Sequence, residues 1–200
     1  MRQIALQTHM PLNLKYFILN KPYGMLSQFT DKDGRKTLSD LFNFPKDVYP
    51  VGRLDFDSEG LLLLTNDKSL TDYLLNPNNK HEREYFVQVE NIPSDKDLEK
   101  LRKGVIIQNR KTLPVIANKI TEPLFPPREP PIRERKNIPT SWISLVLTEG
   151  RNRQVRKMTA KIGYPTLRLI RIRIKNILLN NLAPCSIREL TKNEIASLKK

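Results

Sequence analysis

The 200-residue chain is poor in the residues that would staple or metallate a fold: it has one cysteine, Cys185, and two histidines, His9 and His81. A lone cysteine excludes an internal disulfide, and three scattered residues exclude a zinc cluster of recognisable spacing, which fits a reducing cytoplasm. Long hydrophobic runs are missing as well. The longest purely aliphatic stretch is Leu61–Leu64, and the N-terminus turns polar at Gln7, so neither a membrane span nor a signal peptide is indicated. Acidic residues are scarce: 21 Asp and Glu stand against 35 Lys and Arg, a formal charge of +14. Such an excess points to a polyanionic partner, nucleic acid first, although charge alone does not separate RNA from DNA or from an acidic membrane surface. Internal repeats and coiled-coil heptads are also missing, while 38% hydrophobic residues suffice for a core.

What is present reads as mixed α and β. Residues 1–14 form a leader without clear period. Tyr16–Leu19 is a short strand closed by Lys21-Pro22-Tyr23-Gly24, and Leu38, Leu41 and Phe42 fall at helical spacing before Pro45. Leu61–Leu64, bounded by Gly60, predicts a buried strand, with Asn66-Asp67 capping a helix through Leu75. Further strands are expected at Glu84–Glu90, Trp142–Leu147, Leu167–Ile174 and Ser186–Leu190, with extended segments at Val105–Gln108 and Thr112–Ile120. Helices are expected over Ser94–Lys103, over Asn152–Ile162 and after Thr191. Between residues 122 and 140 six prolines alternate with Arg128, Arg133, Arg135 and Lys136, which predicts a basic, semi-rigid surface loop.

Three groups of residues could carry chemistry. Arg151, Arg153, Arg156 and Lys157 surround the strand-to-helix turn at Gly150, where free backbone N–H groups already favour an anion; an ordinary solvated helix start is the alternative. Arg171, Arg173 and Lys175 alternate with isoleucines along a strand, so they share one face at intervals of about 6.8 Å, twice the strand rise. That spacing is close to successive phosphates, with a charged outer sheet face as the alternative. Asp55, Asp57 and Glu59 place three carboxylates within five residues of a basic protein. Arginines could hold Asp55 ionised as nucleophile or base, or the three acids could gather a hard cation as in a metal-dependent nuclease.

The ordered segments Lys21-Pro22-Tyr23-Gly24, Val51-Gly52-Arg53-Leu54-Asp55 with Ser58-Glu59-Gly60-Leu61-Leu62-Leu63-Leu64-Thr65-Asn66-Asp67, Glu84-Tyr85, and Glu149-Gly150-Arg151-Asn152-Arg153-Gln154-Val155-Arg156-Lys157-Met158 resemble the RsuA-like family of bacterial ribosomal RNA pseudouridine synthases. The likeness spans roughly residues 15–190. Pro130–Lys136 ahead of Ile138-Pro139-Thr140, and the start of the chain directly at the catalytic region without a preceding RNA-binding domain, resemble the E-type branch acting on 23S rRNA. Two positions depart from the pattern: Lys175-Asn176 and Cys185 stand where relatives often have glycine.

The resemblance implies an α+β fold over residues 15–200, a mixed and largely antiparallel sheet with flanking helices in two lobes around a cleft. It implies isomerisation of uridine to pseudouridine in 23S rRNA after base flipping, without cofactor or metal, by a monomer. Asp55 is then the nucleophile, Tyr85 the platform against the uracil ring, and Arg156 the partner that keeps Asp55 ionised. Arg53 helps displace or replace the flipped base, Leu169 packs beneath it, and Arg151, Arg153, Lys157, Arg171, Arg173 and Lys175 bind phosphates. An RNA-binding assembly factor that has lost activity, or a nuclease, are the competing classes.

Overall fold

The computed structural model describes residues 13–132, 135 and 137–199. Residues 1–12 of the expected 1–14 leader, and Arg133 and Lys136 of the proline-rich loop, lie outside these residues.

The expected strands assemble into one nine-stranded sheet. Its main path runs β11 (Ile187–Glu189), β1 (Tyr16–Lys21), β3 (Glu59–Thr65), β9 (Thr166–Ile174), β4 (Arg83–Glu90), β8 (Thr140–Leu147), β7 (Ile116–Ile120), with β2 (Tyr49–Pro50) on β3 and β10 (Ile177–Leu178) on β9. Neighbours are antiparallel except β3 and β9, which run parallel and meet only through Glu59↔Ile170 and Gly60↔Arg171. This short seam joins two halves. On one side α1 (Lys68–Leu75) and α4 (Lys192–Leu198) pack on β1 and β3 through Leu70, Leu74 and Leu198; on the other α2 (Asp95–Arg102) and α3 (Gln154–Lys161) pack on β4 and β8 through Leu98, Leu101 and Met158.

The leucine run of β3 explains its central place. Successive side chains of a strand point to opposite faces. Leu61 and Leu63 enter one apolar cluster while Leu62 and Leu64 enter another with Phe17, Leu19 and Leu38, so both faces are covered and every residue of the strand is buried. Gly60 makes the seam possible. Its φ of 101° suits glycine, and a Cβ there would lie 2.3 Å from the Arg171 carbonyl oxygen.

Three helices start at side-chain caps. Asp67 accepts from Leu70 N at the head of α1, and Ser94 and Thr191 form capping boxes with Asp97 and Glu194. Two expectations change. The helix around Leu38 shrinks to the single 3-10 turn Leu38–Asp40, because Asp40 folds back to accept from Thr37 N at 2.7 Å and Phe42 stays exposed. The extended stretch Thr112–Ile120 keeps a strand only at β7; the two residues before the stretch, β6 (Arg110–Lys111), close a hairpin with β5 (Ile106–Ile107) through Gln108 and Asn109, both at positive φ. In the proline-rich segment Arg128 stacks 4.1 Å above the Tyr23 ring, docking the loop on the Lys21–Gly24 turn.

Candidate active site

The loop from Val51 to Ser58 is pinned at several points. The Ser27 hydroxyl donates to Leu54 O at 2.9 Å and accepts from Leu54 N at 3.1 Å, Gly24 N donates to Phe56 O at 2.9 Å, and Ser58 N closes a turn on Asp55 O at 3.0 Å. Leu54 is thereby buried, and its neighbour Asp55 faces a cavity of about 490 Å³ at the junction of the two halves. The nearest cation to Asp55 is Arg153, whose Nη1 stands 4.0 Å from Oδ2.

Asp57, two residues on, is the acid that holds the arginines. Arg153 binds it bidentately at 2.8 Å and 2.8 Å; Arg156 Nε lies 3.3 Å from its Oδ2, without an aligned hydrogen bond, and Arg156 Nη2 donates to its backbone carbonyl. Burial alone would raise the Asp57 pKa, but the Arg153 hydrogen bonds and the charges of Arg156 and Arg153 outweigh it and hold the carboxyl below its ordinary range. Arg153 is raised by the same bond, and burial lowers Arg156. The expected Arg156–Asp55 pair is therefore corrected: Arg156 braces the loop through Asp57, and Arg153 is the arginine nearest Asp55. The turn that makes this possible leaves Arg153 in the left-handed region, φ 51°, immediately before α3.

Two neighbouring strands supply the rest of the cavity. Tyr85 of β4 sits opposite Arg171 of β9, and Leu169 precedes Arg171 by one strand period on the same face. Arg53, Asp55, Tyr85, Arg151, Arg153, Leu169 and Arg171 all line the cavity, joined by Ser58 and Arg83, which sequence reasoning did not single out. Arg83 opens β4, and Ser58 lies inside the Asp55 motif, so position in the motif was the available signal. Arg151 is held by Ile107 O at 2.8 Å and Arg110 O at 3.2 Å, and Lys157 by Asn152 O at 2.8 Å.

The row Arg171, Arg173, Lys175 does not form an outward phosphate ladder. Arg173 is matched by Glu84 at 2.9 Å and Glu82 at 3.0 Å, Lys175 donates to Leu198 O at 3.0 Å, and Arg171 is 4% exposed, inside the cavity. The three acids of the loop do not converge on a cation either. Asp57 is taken by arginines, and Glu59 by Arg168 at 2.9 Å and 2.8 Å. Among the described residues, groups of three or more metal-ligating side chains do not occur.

Sequence reasoning also passed over Lys21. It is fully buried, and donates to Pro22 O at 2.9 Å and Met25 O at 2.7 Å behind the Asp55 loop.

Residues 15–161 match the family described as RNA pseudouridylate synthase. The chain belongs to that family. It is an RNA pseudouridine synthase, an enzyme that isomerises uridine within RNA. It is 53% identical over 178 residues to the ribosomal large subunit pseudouridine synthase E of Vibrio parahaemolyticus, covering 89% of this chain and 74% of the relative. It is 49% identical to the enzyme of the same name from Xanthomonas axonopodis, covering 84% and 89%, and 38% identical to the ribosomal large subunit pseudouridine synthase B of Bacillus subtilis, covering 92% and 71%. A crystal structure of a pseudouridylate synthase superposes with a TM-score of 0.75 at 26% identity over 92% of this chain and 74% of that one. The synthase family thus carries the expected α+β architecture, and the competing readings as nuclease or inactive assembly factor are not favoured.

Proposed function

We propose that this synthase isomerises a single uridine of 23S rRNA in the large ribosomal subunit, working as a monomer in the cytoplasm, with Asp55 as its nucleophile. The observation that carries the reading is the meeting of Asp55, Tyr85 and Leu169 in one cavity although they lie on three separate stretches of chain. The 49–53% identity to relatives named for the large subunit supports the substrate class.

A stacked uridine is out of reach of a carboxylate, so the nucleotide leaves the helix and enters the cavity, at a cost of about a few kcal/mol. Exposed Arg53 at the mouth is placed to fill the gap in the stack, and the cations at the rim, Arg53, Arg151 and Arg153, offset the cost through phosphate contacts. Inside, the uracil lies between the Tyr85 ring and the Leu169 side chain. Asp55 then acts on the sugar or the ring, the bond from C1′ to N1 breaks, the base turns, and C5 joins C1′; Asp55 is released unchanged, and the proton lost from C5 is balanced by one gained at N1, with Tyr85 as a candidate proton-transfer group. Arg156 and Arg153 keep the loop in place through Asp57. The sequence of steps needs no metal and no cofactor.

Mapping pseudouridine in 23S rRNA with wild type and Asp55→Asn tests the reading. The variant forms no product while its RNA affinity stays within about tenfold of wild type, since phosphate contacts dominate binding. Product formation by purified Asp55→Asn at the wild-type rate would remove Asp55 from the mechanism.

A further inference from the structure

Four buried side-chain nitrogen or oxygen atoms of the described residues lack a hydrogen-bond partner: Ser58 Oγ, Arg156 Nε, Arg171 Nη2 and Trp142 Nε1. Buried polar groups are nearly always satisfied, so each exception calls for a cause. Arg156 Nε has the Asp57 carboxylate 3.3 Å away. Trp142 lies in another groove, beneath the proline-rich segment. Ser58 and Arg171 both line the Asp55 cavity.

Arg171 is the more demanding of the two because it is charged. Its flanking strand-mates are neutralised, Arg168 by Glu59 at 2.8 Å and Arg173 by Glu84 at 2.9 Å and Glu82 at 3.0 Å. Arg171, 4% exposed, has only the neutral Leu61 carbonyl, which accepts from Nε at 2.8 Å and fixes the guanidinium in direction. A buried guanidinium without a counter-charge is expensive, and the fold retains it beside the Tyr85 ring and one strand period from Leu169.

We infer that Arg171 is a further catalytic residue: its guanidinium, which lines the cavity without an acidic partner, donates to a carbonyl oxygen of the flipped uracil and stabilises the negative charge that the ring acquires during the reaction. This rests on the proposed role of Asp55 but not on which route Asp55 follows. If Asp55 attacks C1′ or removes the C2′ proton, the C1′–N1 bonding pair departs with the uracil and is shared among N1, O2 and O4. If Asp55 adds to C6, the C5–C6 π pair moves through C4 onto O4. Each route places one negative charge on ring oxygens, and Arg171 keeps all its protons. The missing counter-ion is thus supplied by the substrate, at the stage where stabilisation accelerates the reaction.

The experiment compares single-turnover consumption of uridine in a large-subunit RNA transcript with that of 5-fluorouridine in the same transcript, read by nuclease digestion, chromatography of the nucleosides and mass spectrometry; the fluorinated ring has no C5 proton to lose, so after C1′–C5 bonding it takes up water across N1–C6 and is scored as loss of 5-fluorouridine. Fluorine withdraws electrons, so the substituted ring carries negative charge with less help. Arg171→Gln lowers the rate on uridine RNA by about 100-fold, the scale of losing one charge-stabilising donor, with RNA affinity within about threefold. On 5-fluorouridine RNA the loss is smaller by at least about tenfold, and Arg171→Lys, which keeps the charge, recovers at least about tenfold of the rate on uridine RNA. Should Arg171→Gln fail to fold, the same ratio is read on Arg171→Lys, whose displaced cation gives a loss that again shrinks on the fluorinated RNA. Equal losses on the two RNAs, or a loss confined to RNA affinity, would overturn the inference. Asp55→Asn, inactive on both RNAs, is run in parallel: if it proves active, the reading of Asp55 fails, whereas an inactive Asp55→Asn with equal Arg171 losses sinks the role of Arg171 alone.

Discussion

Removing one partner of the Glu59–Arg168 bridge should cost far more than removing both. The pair is bidentate at 2.9 Å and 2.8 Å, its side chains are 11% and 8% exposed, and it ties the start of β3 to β9 beside the Asp55 loop. Breaking such a pair from one side leaves a buried charge and costs about 3–5 kcal/mol, whereas replacing both partners with apolar groups of similar volume is close to neutral. The two single variants should differ, because Glu59 is also the strongest favourable charge acting on buried Lys21. Arg168→Met leaves Glu59 with Lys21 as residual partner and should fall near about 3 kcal/mol. Glu59→Leu strips counter-charge from two cations and should approach about 5 kcal/mol. At about 2–4 °C per kcal/mol for a domain of this size, the melting temperatures should drop by about 6–20 °C. Urea unfolding followed by fluorescence of Trp142, the only tryptophan and 6% exposed, gives the free energies and completes a double-mutant cycle. Single losses below about 1 kcal/mol, typical of solvated ion pairs, or a double variant whose loss equals the sum of the singles, would refute the reasoning.

Lys21 makes the second prediction. Burial pushes its ammonium down to about 8, against the pull of Glu59, Asp57 and Asp55, while the unfolded chain titrates near about 10.4. Between those values the unfolded state binds more protons, so the penalty for burying the charge is fully present below about pH 8 and is relieved as pH rises, by up to about 1.4 kcal/mol per unit. Urea midpoints across that window should climb relative to Lys21→Met, and parallel curves would show that Lys21 does not titrate there. The third concerns RNA. Arg53→Ala should make the salt dependence of RNA affinity shallower by about 1, while Arg173→Ala, already spent on Glu82 and Glu84, should leave the slope unchanged and lower stability instead. Identical slopes for the two variants would mean that Arg53 contacts no phosphate.

What could be read from the sequence was local or strictly periodic. Leu61–Leu64 is buried because four leucines in a row leave neither face of a strand polar, and Asp67, Ser94 and Thr191 cap helices because each has a backbone N–H three residues ahead to satisfy. Ionic partnerships were not legible, because they are made across the fold. Period two put Arg171, Arg173 and Lys175 on one face, yet their partners come from Leu61, from Glu82 and Glu84 at the head of β4, and from Leu198 at the C-terminus. The two departures from the family pattern did carry structural information. Lys175 and Cys185 stand at φ 49° and φ 64°, where glycine costs least, so each turn holds an L-residue in a left-handed conformation.

On the role proposed for Asp55, the three carboxylates of its motif divide the work of keeping a nucleophile available in a basic protein. A carboxylate gripped by arginines is stabilised as an anion but loses nucleophilicity and access, because its lone pairs are already donated to. The fold satisfies both demands by placing the strong contacts one step away. Asp57 takes the Arg153 fork and the Arg156 brace, Glu59 takes Arg168, and Asp55 has Arg153 only at 4.0 Å. Asp57 and Glu59 tie the stretch from Asp55 to Gly60 to the start of α3 and to β9, while Asp55 faces the cavity. The same cations that fix the loop supply a positive field that draws in phosphate, without covering the Asp55 oxygens.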